Sequence, residues 1–127
     1  MSVAGAGETR DAGHGSALAS RQLMHDPGSL NSIAFRYARW LRDTGQWDAM
    51  DLFTSVIHPA VGWLASRGQA SIMDISPSII RRTVLVARRD GLDPELAIGA
   101  WNDFWTYLDS DGVPHRPLPP DLLASIA

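Results

Sequence analysis

The sequence predicts an all-α fold, a compact bundle of four to five helices with a flexible N-terminal arm. Apolar residues recur at intervals of three and four along most of the chain, which is the spacing of one helix face. Two pairs, Ser76–Pro77 and Asp93–Pro94, have the form of helix starts. Glycines follow the periodic stretches as they do at helix ends, so little of the chain remains for strands.

Composition bounds the class of protein. The 127 residues suffice for one domain with a single core, and 45% of them are hydrophobic. The chain has no cysteine, which excludes disulfides, thiolate nucleophiles and Cys-ligated zinc. All eleven basic residues are arginine and the formal net charge is −3. Nonspecific affinity for nucleic acid comes from the neutralisation of phosphates by basic residues. Because the net charge is negative, any DNA contact is expected to be confined to a local basic surface.

The chain divides into three predicted parts. Residues 1–28 are rich in Gly, Ala and Ser and poor in large apolar groups, which predicts a flexible arm. Residues 29–113 carry the helical pattern. Residues 114–127 form a proline-rich tail that is expected to be extended, apart from a candidate helical turn at residues 121–126. No secretion signal or apolar run of ~20 residues is present, so no membrane association and a cytoplasmic location are expected.

The first helix is expected to run to about Arg42, with Ser29 or Asn31 as its N-cap. Its residues at three-and-four spacing predict a buried stripe that consists of Leu30, Ile33, Ala34, Tyr37 and Leu41. The Asp43–Gly45 segment then predicts a turn that ends this helix.

A second helix is expected to begin near Gln46. The residues predicted to face inward from it are Trp47, Met50, Leu52, Phe53, Val56 and Ile57. Because Pro59 lacks an amide proton and clashes with the preceding turn, this helix should end or kink near His58. A short helix should then continue as far as Gly68.

The last two helices have the clearest starts. The Ser76–Pro77 pair begins a helix that runs to about Asp90, and the Asp93–Pro94 pair begins one that runs to about Asp109. Trp101 and Trp105 are expected to be buried, although rings at this spacing could also form a base-stacking platform. The predicted core consists of Phe35, Tyr37, Leu41, Phe53, Ile57, Trp63, Leu64, Ile80, Val84, Trp101, Phe104 and Leu108.

Four arginines on one helix face form the candidate nucleic-acid-binding site. Arg81, Arg82, Arg88 and Arg89 fall, together with Leu85, within about a third of a turn on a helical wheel, and we call them the arginine stripe. Guanidinium groups match the geometry of phosphate oxygens, which favours contact with DNA. The alternative is an ordinary solvated face, neutralised by nearby carboxylates of Asp90, Asp93 or Asp103.

Four short motifs occur in order within residues 58–119: Trp63-Leu64 before Gly68, Asp74-Ile75-Ser76-Pro77, Gly91-Leu92-Asp93-Pro94, and Phe104-Trp105 with Tyr107-Leu108 before Gly112. This half of the chain resembles the SAM-like core-binding domain at the N-terminus of tyrosine recombinases, the phage-integrase class. The resemblance implies one half of a clamp around duplex DNA, which would contact phosphates through the arginine stripe. That family's cleavage chemistry belongs to a separate C-terminal domain, so the resemblance implies no catalytic residue here.

The predicted function is a non-enzymatic, DNA-associated helical protein that contacts phosphates through the arginine stripe. The alternative is a small protein–protein interaction module, such as an adaptor, an inhibitor or an assembly component of a phage or other mobile element. The expected partners are duplex DNA, or a protein bound through the N-terminal arm, which could also mediate self-association. An enzyme is not expected.

No catalytic, metal or cofactor site is expected. None of the histidines has a His or carboxylate partner three or four residues further on, and they are His14, His25, His58 and His115. The segment Leu108–Gly112 resembles the opening of a calcium loop but lacks its later ligands, so it is predicted to end a helix. Three nearby carboxylates are expected to lie on a solvated face: Asp43, Asp48 and Asp51.

Overall fold

All regular secondary structure in the described part of the chain is helical. A computed structural model describes residues 26–120 and Leu122, and this part contains no strand. A π-helical turn at Phe53–Ile57 joins the second helix to the third, and a 3-10 turn at Ile72–Asp74 precedes the fourth. The helices are α1 Leu30–Asp43, α2 Trp47–Leu52, α3 His58–Ser66, α4 Pro77–Arg89 and α5 Pro94–Ser110. The predicted all-α fold class is confirmed. The predicted arm lies outside the described residues, except for residues 26–28.

Side-chain caps begin three of the helices at the predicted residues. The Oγ atom of Ser29 accepts a hydrogen bond from the backbone N–H of Ser32 at 3.2 Å. Ser76 caps α4 and Asp93 caps α5 in the same way, with donor–acceptor distances of 3.3 and 2.9 Å. Each of these caps satisfies an N–H group that has no partner within the helix, so local sequence determines where the helix starts.

Helical winding continues through Pro59, because the π-helical turn between α2 and α3 precedes it. In an α-helix, proline removes the hydrogen bond to the carbonyl four residues earlier and clashes with that carbonyl. Here the N–H of His58 donates to the carbonyl of Phe53, five residues earlier, so the backbone is already wound more widely at this point. The helix continues to Ser66, and Gly68 takes a φ of 75° just beyond its end.

One aromatic core joins the helices. α1 packs on α2 and α3, α4 packs on α5, and the π-helical turn contacts both α4 and α5. The ring of Tyr37 lies 5.0 Å from that of Phe104 and 5.4 Å from that of Phe53, measured between centroids. Trp101 and Trp105 are buried, which confirms their predicted place in the core and excludes them as an exposed base-stacking platform.

Three large apolar residues were wrongly predicted to face inward. Phe35, Trp47 and Trp63 are 55%, 59% and 49% exposed. Phe35 lies about 140° around α1 from the middle of the buried stripe, and Trp63 lies about 100° from that of α3. Trp47 begins α2, a short helix without a buried residue. The rest of the predicted core is buried, namely Tyr37, Leu41, Phe53, Ile57, Leu64, Ile80, Val84, Trp101, Phe104 and Leu108.

The first part of the proline-rich tail packs against α5. The indole N–H of Trp105 donates to the carbonyl of Arg116. The side chain of His115 is 12% exposed, with Nε2 2.6 Å from Oδ1 of Asp109 and Nδ1 2.8 Å from the Arg116 carbonyl oxygen. Burial of the ring opposes its charge, but these two hydrogen bonds raise the pKa of His115 above its ordinary value. Folding therefore favours the imidazolium form. The candidate turn at residues 121–126 lies outside the described residues, except for Leu122.

Candidate functional site

The arginine stripe lies on the outer face of α4. Arg82, Arg88 and Arg89 are exposed, whereas Arg81 is half-buried. The apolar side chain of Leu85 is exposed among them. The residues that α4 buries instead lie on its opposite side, and they are Ile80, Val84 and Ala87. The arginine stripe therefore lies on the surface of the bundle, as the helical wheel indicates. Its role in binding stays a prediction.

The carboxylates considered as neutralising groups interact little with the stripe in the described part of the chain. The Nε atom of Arg89 lies 4.0 Å from Oδ1 of Asp90, and both side chains are largely exposed. Asp93 uses its carboxylate to cap α5, and Asp103 forms no ion pair within residues 26–120. The guanidinium of Arg82 likewise has neither a hydrogen bond nor an ion pair within that range. Arg82 is therefore available to an external group.

An open, mainly apolar groove of about 630 Å³ lies beside Arg82, and we call it the α3/α4 groove. One wall is formed by α4 and its C-cap residue, and includes Ile79, Arg82, Thr83, Val86 and Asp90. The opposite wall comes from the π-helical turn and α3, and includes Val56, Pro59, Ala60 and Trp63. The indole of Trp63 and the side chain of Val86 are 49% and 37% exposed, so the groove leaves large apolar groups uncovered.

Both walls of the groove are rows of side chains from successive helical turns. Residues 56, 59, 60 and 63 form one row, and residues 79, 82, 83, 86 and 90 form the other. Steps of three and four residues keep each row on a single face of its helix. Because helices pack by fitting the ridges of one into the grooves of another, two such rows on either side of a cleft suit a third helix.

Opposite charges lie on either side of Val86 in the α4 wall. Arg82 and Asp90 are eight residues apart, which places them about 12 Å apart along the helix axis. Val86 lies midway between them, and all three residues line the groove. From Arg82 onward the wall thus presents a cation, an apolar side chain and an anion in that order. This order determines which partners match it electrostatically.

Sequence reasoning identified an arginine of the groove but not the groove itself. It placed Trp63 in the core and grouped Arg82 with the other stripe arginines. One feature of the sequence could have indicated the groove, namely the wide apolar face of α4. Ile79 and Val86 extend this face beyond the residues that the bundle buries. The opposite wall could not be assigned, because its distance from α4 depends on how α3 packs.

The other residues considered for chemistry form no site in the described region. Residues 26–120 contain no group of three or more His, Asp or Glu side chains that could hold a metal ion. The Leu108–Gly112 segment ends α5, as predicted, and the carboxylates of Asp43, Asp48 and Asp51 are exposed. His58 is exposed, whereas His14 and His25 lie outside the described residues. None of the helices described is long and apolar enough to cross a membrane.

Comparisons of the chain with protein-family models, curated proteins and solved structures gave no match. The resemblance to recombinase core-binding domains therefore stays a prediction that depends on the four sequence motifs. In the structure, Asp74–Pro77 and Gly91–Pro94 coincide with helix boundaries. Such boundaries occur in helical proteins of many functions, so they do not indicate a particular function.

Proposed function

We propose that this chain is a protein-interaction module whose α3/α4 groove binds an amphipathic helix of a partner protein. The observation that supports this most directly is the exposed indole of Trp63 within an apolar groove bounded by two helical rows. Grooves of this kind bind the apolar face of a helix, and tryptophan is enriched among the residues that dominate binding energy. The prediction that the chain is not an enzyme stays a prediction.

The Trp63 ring contacts a neighbouring cation before any partner binds. The guanidinium carbon of Arg67 lies 4.8 Å from the ring centroid, in cation–π contact. Because this contact already restricts the ring, less side-chain entropy is lost when a partner covers it. Fully burying a large apolar side chain contributes about 1.5 to 3 kcal/mol. Because Trp63 and Val86 are 49% and 37% exposed, covering them supplies part of that amount for each.

Site-specific photo-crosslinking in the cells that express the chain tests this proposal. A photoreactive Trp63→p-benzoylphenylalanine variant should form a discrete, ultraviolet-dependent adduct, because a helix in the groove covers this ring. The matched control is Trp47→p-benzoylphenylalanine, since Trp47 is a tryptophan outside the groove that is 59% exposed, against 49% for Trp63. Gel migration and mass spectrometry of the crosslinked peptides identify the adduct. An absent adduct at position 63, or the same adducts from both positions, would contradict a binding role for the groove.

As a second candidate function we propose contact with duplex DNA through the arginine stripe. The exposure of Arg82, Arg88 and Arg89 on one helix face supports it, whereas the net charge of −3 does not. Contact with duplex DNA would agree with the resemblance of the four sequence motifs to recombinase core-binding domains. The suggested association with a mobile element, like the cytoplasmic location, stays a prediction.

Salt-dependent binding of duplex DNA tests the second candidate. If the stripe neutralises phosphates, Arg88→Ala combined with Arg89→Ala should reduce the slope of log affinity against log salt by about two, since each lost contact removes about one released counterion. Fluorescence anisotropy with labelled duplex measures this slope. The control is Arg39→Ala combined with Arg42→Ala, which removes the same charge from exposed positions on α1. Equal effects of the two pairs would remove the stripe from any account of DNA binding.

A further inference from the structure

We infer that the helix bound in the α3/α4 groove is α4 of a second copy of this chain, which makes the protein a two-fold symmetric dimer. This inference rests on the proposed function and names the partner for the same groove. It depends on the order of groups along the α4 wall, where Arg82 and Asp90 lie on either side of Val86.

A two-fold axis turns that order into complementary contacts. Two α4 helices that pack antiparallel, with the axis at Val86, place Arg82 of each copy opposite Asp90 of the other. A two-fold interface uses the same patch on both copies, so every contact occurs twice. The two Val86 side chains meet at the centre, and each α4 lies along the other copy's Trp63. A wall with two like charges would instead repel its own copy.

The two charged groups can pair across the interface without breaking a strong contact in the monomer. The guanidinium of Arg82 has no partner within residues 26–120. Among the described residues, the carboxylate of Asp90 has only the 4.0 Å contact with Arg89, whose side chain is 77% exposed. Exposed ion pairs are individually weak, so these pairs set orientation and register, while the apolar centre supplies most of the affinity.

Four residues of the α4 wall, of which Ile79 and Val86 are apolar, have the spacing that a packed helix pair requires. Residues 79, 83, 86 and 90 follow one another at intervals of four, three and four. This spacing places one side chain per turn on the face toward the partner helix. The buried side of α4 is occupied by α5 and the π-helical turn, whereas this row lines the open α3/α4 groove.

A charge-reversal experiment with the full-length chain tests the inference. In the Arg82→Asp variant both positions carry carboxylates, and in the Asp90→Arg variant both carry guanidiniums. Each variant should therefore repel its own copy and associate at least about tenfold more weakly than the wild type. An equimolar mixture of the two should associate at least as tightly as the wild type, because each cross-pair then joins opposite charges. Analytical ultracentrifugation measures these dissociation constants.

The mixture also controls for folding, since misfolded variants would not recover association when combined. Arg39→Asp, which makes the same charge change on α1, should leave the dissociation constant unchanged. The inference is overturned if the mixture associates no more tightly than either variant alone. It is also overturned if the wild-type chain remains monomeric up to about 1 mM, a concentration that corresponds to roughly 4 kcal/mol of binding free energy.

The two proposals fail in different ways. A crosslink from position 63 to a different protein, together with a monomeric wild type, overturns self-association and supports the groove as an interaction site. An adduct of twice the chain mass, in which position 63 is joined to a peptide from α4, supports both. The absence of a specific crosslinked adduct from position 63 would contradict the proposed function itself.

Discussion

Replacing Phe104 with alanine should lower the free energy of unfolding by about 3 to 5 kcal/mol, the usual cost of removing a fully buried aromatic ring. Phe104 is completely buried on α5. Its ring contacts those of Tyr37, Phe53 and Trp105, at centroid distances of 5.0, 6.3 and 5.9 Å. Because these neighbours belong to α1, the π-helical turn and α5, the cavity would lie where the helices meet and could not collapse cheaply.

Equilibrium denaturation of the full-length chain measures this loss. The matched control is Phe35→Ala, because Phe35 is the same residue type but is 55% exposed on α1. Its removal should change the free energy of unfolding by no more than about 0.5 kcal/mol. Losses of similar size for the two variants would mean that Phe104 is not the centre of the core.

Replacing Thr83 with valine should cost about 1 to 3 kcal/mol, although the two side chains have nearly the same shape. The Nε1–H group of Trp101 donates to Oγ1 of Thr83 at 2.8 Å, and Trp101 is fully buried. Valine removes the acceptor and leaves the indole N–H without a partner in an apolar core. The cost therefore comes mainly from the donor left unsatisfied and only slightly from changed packing.

Thr83→Ser is the informative control, since it keeps the hydroxyl and should retain most of the stability. A second control is Thr106→Val on the exposed face of α5, where the hydroxyl only donates to the Asn102 carbonyl. Denaturant titrations of the variants should place Thr83→Val lowest. If the serine and valine variants at position 83 lose the same stability, the hydrogen bond to Trp101 contributes nothing measurable.

The chain positions where helices begin could be predicted because they depend on local chemistry. Ser29, Ser76 and Asp93 each satisfy a backbone N–H within the next three residues, so the signal lies in one short stretch. The buried stripe of α1 was predicted for a similar reason, since helical periodicity alone selects Leu30 and its companions. Neither inference requires knowledge of how the helices pack.

Burial at the edges of the helices could not be predicted so well. Apolarity predicted that Trp47 faces inward and that Trp63 lies in the core, but each side chain is about half exposed, at 59% and 49%. Whether a flank is covered depends on the positions of other helices, which local sequence does not state. The response to Pro59 was similarly hidden, because a helix can either break before a proline or widen into a π-helical turn.

The sequence by itself determined the helical class, the capped starts of α1, α4 and α5, and a row of arginines on the outer face of α4. Only the tertiary structure decided that Arg82 stands beside an apolar groove, with Trp63 opposite and Asp90 two turns away. The physical reason is that the two kinds of feature depend on interactions of different range along the chain. Caps and periodicity act over a few residues along one chain segment, whereas a groove exists only after α3 and α4 have packed at a particular distance and angle.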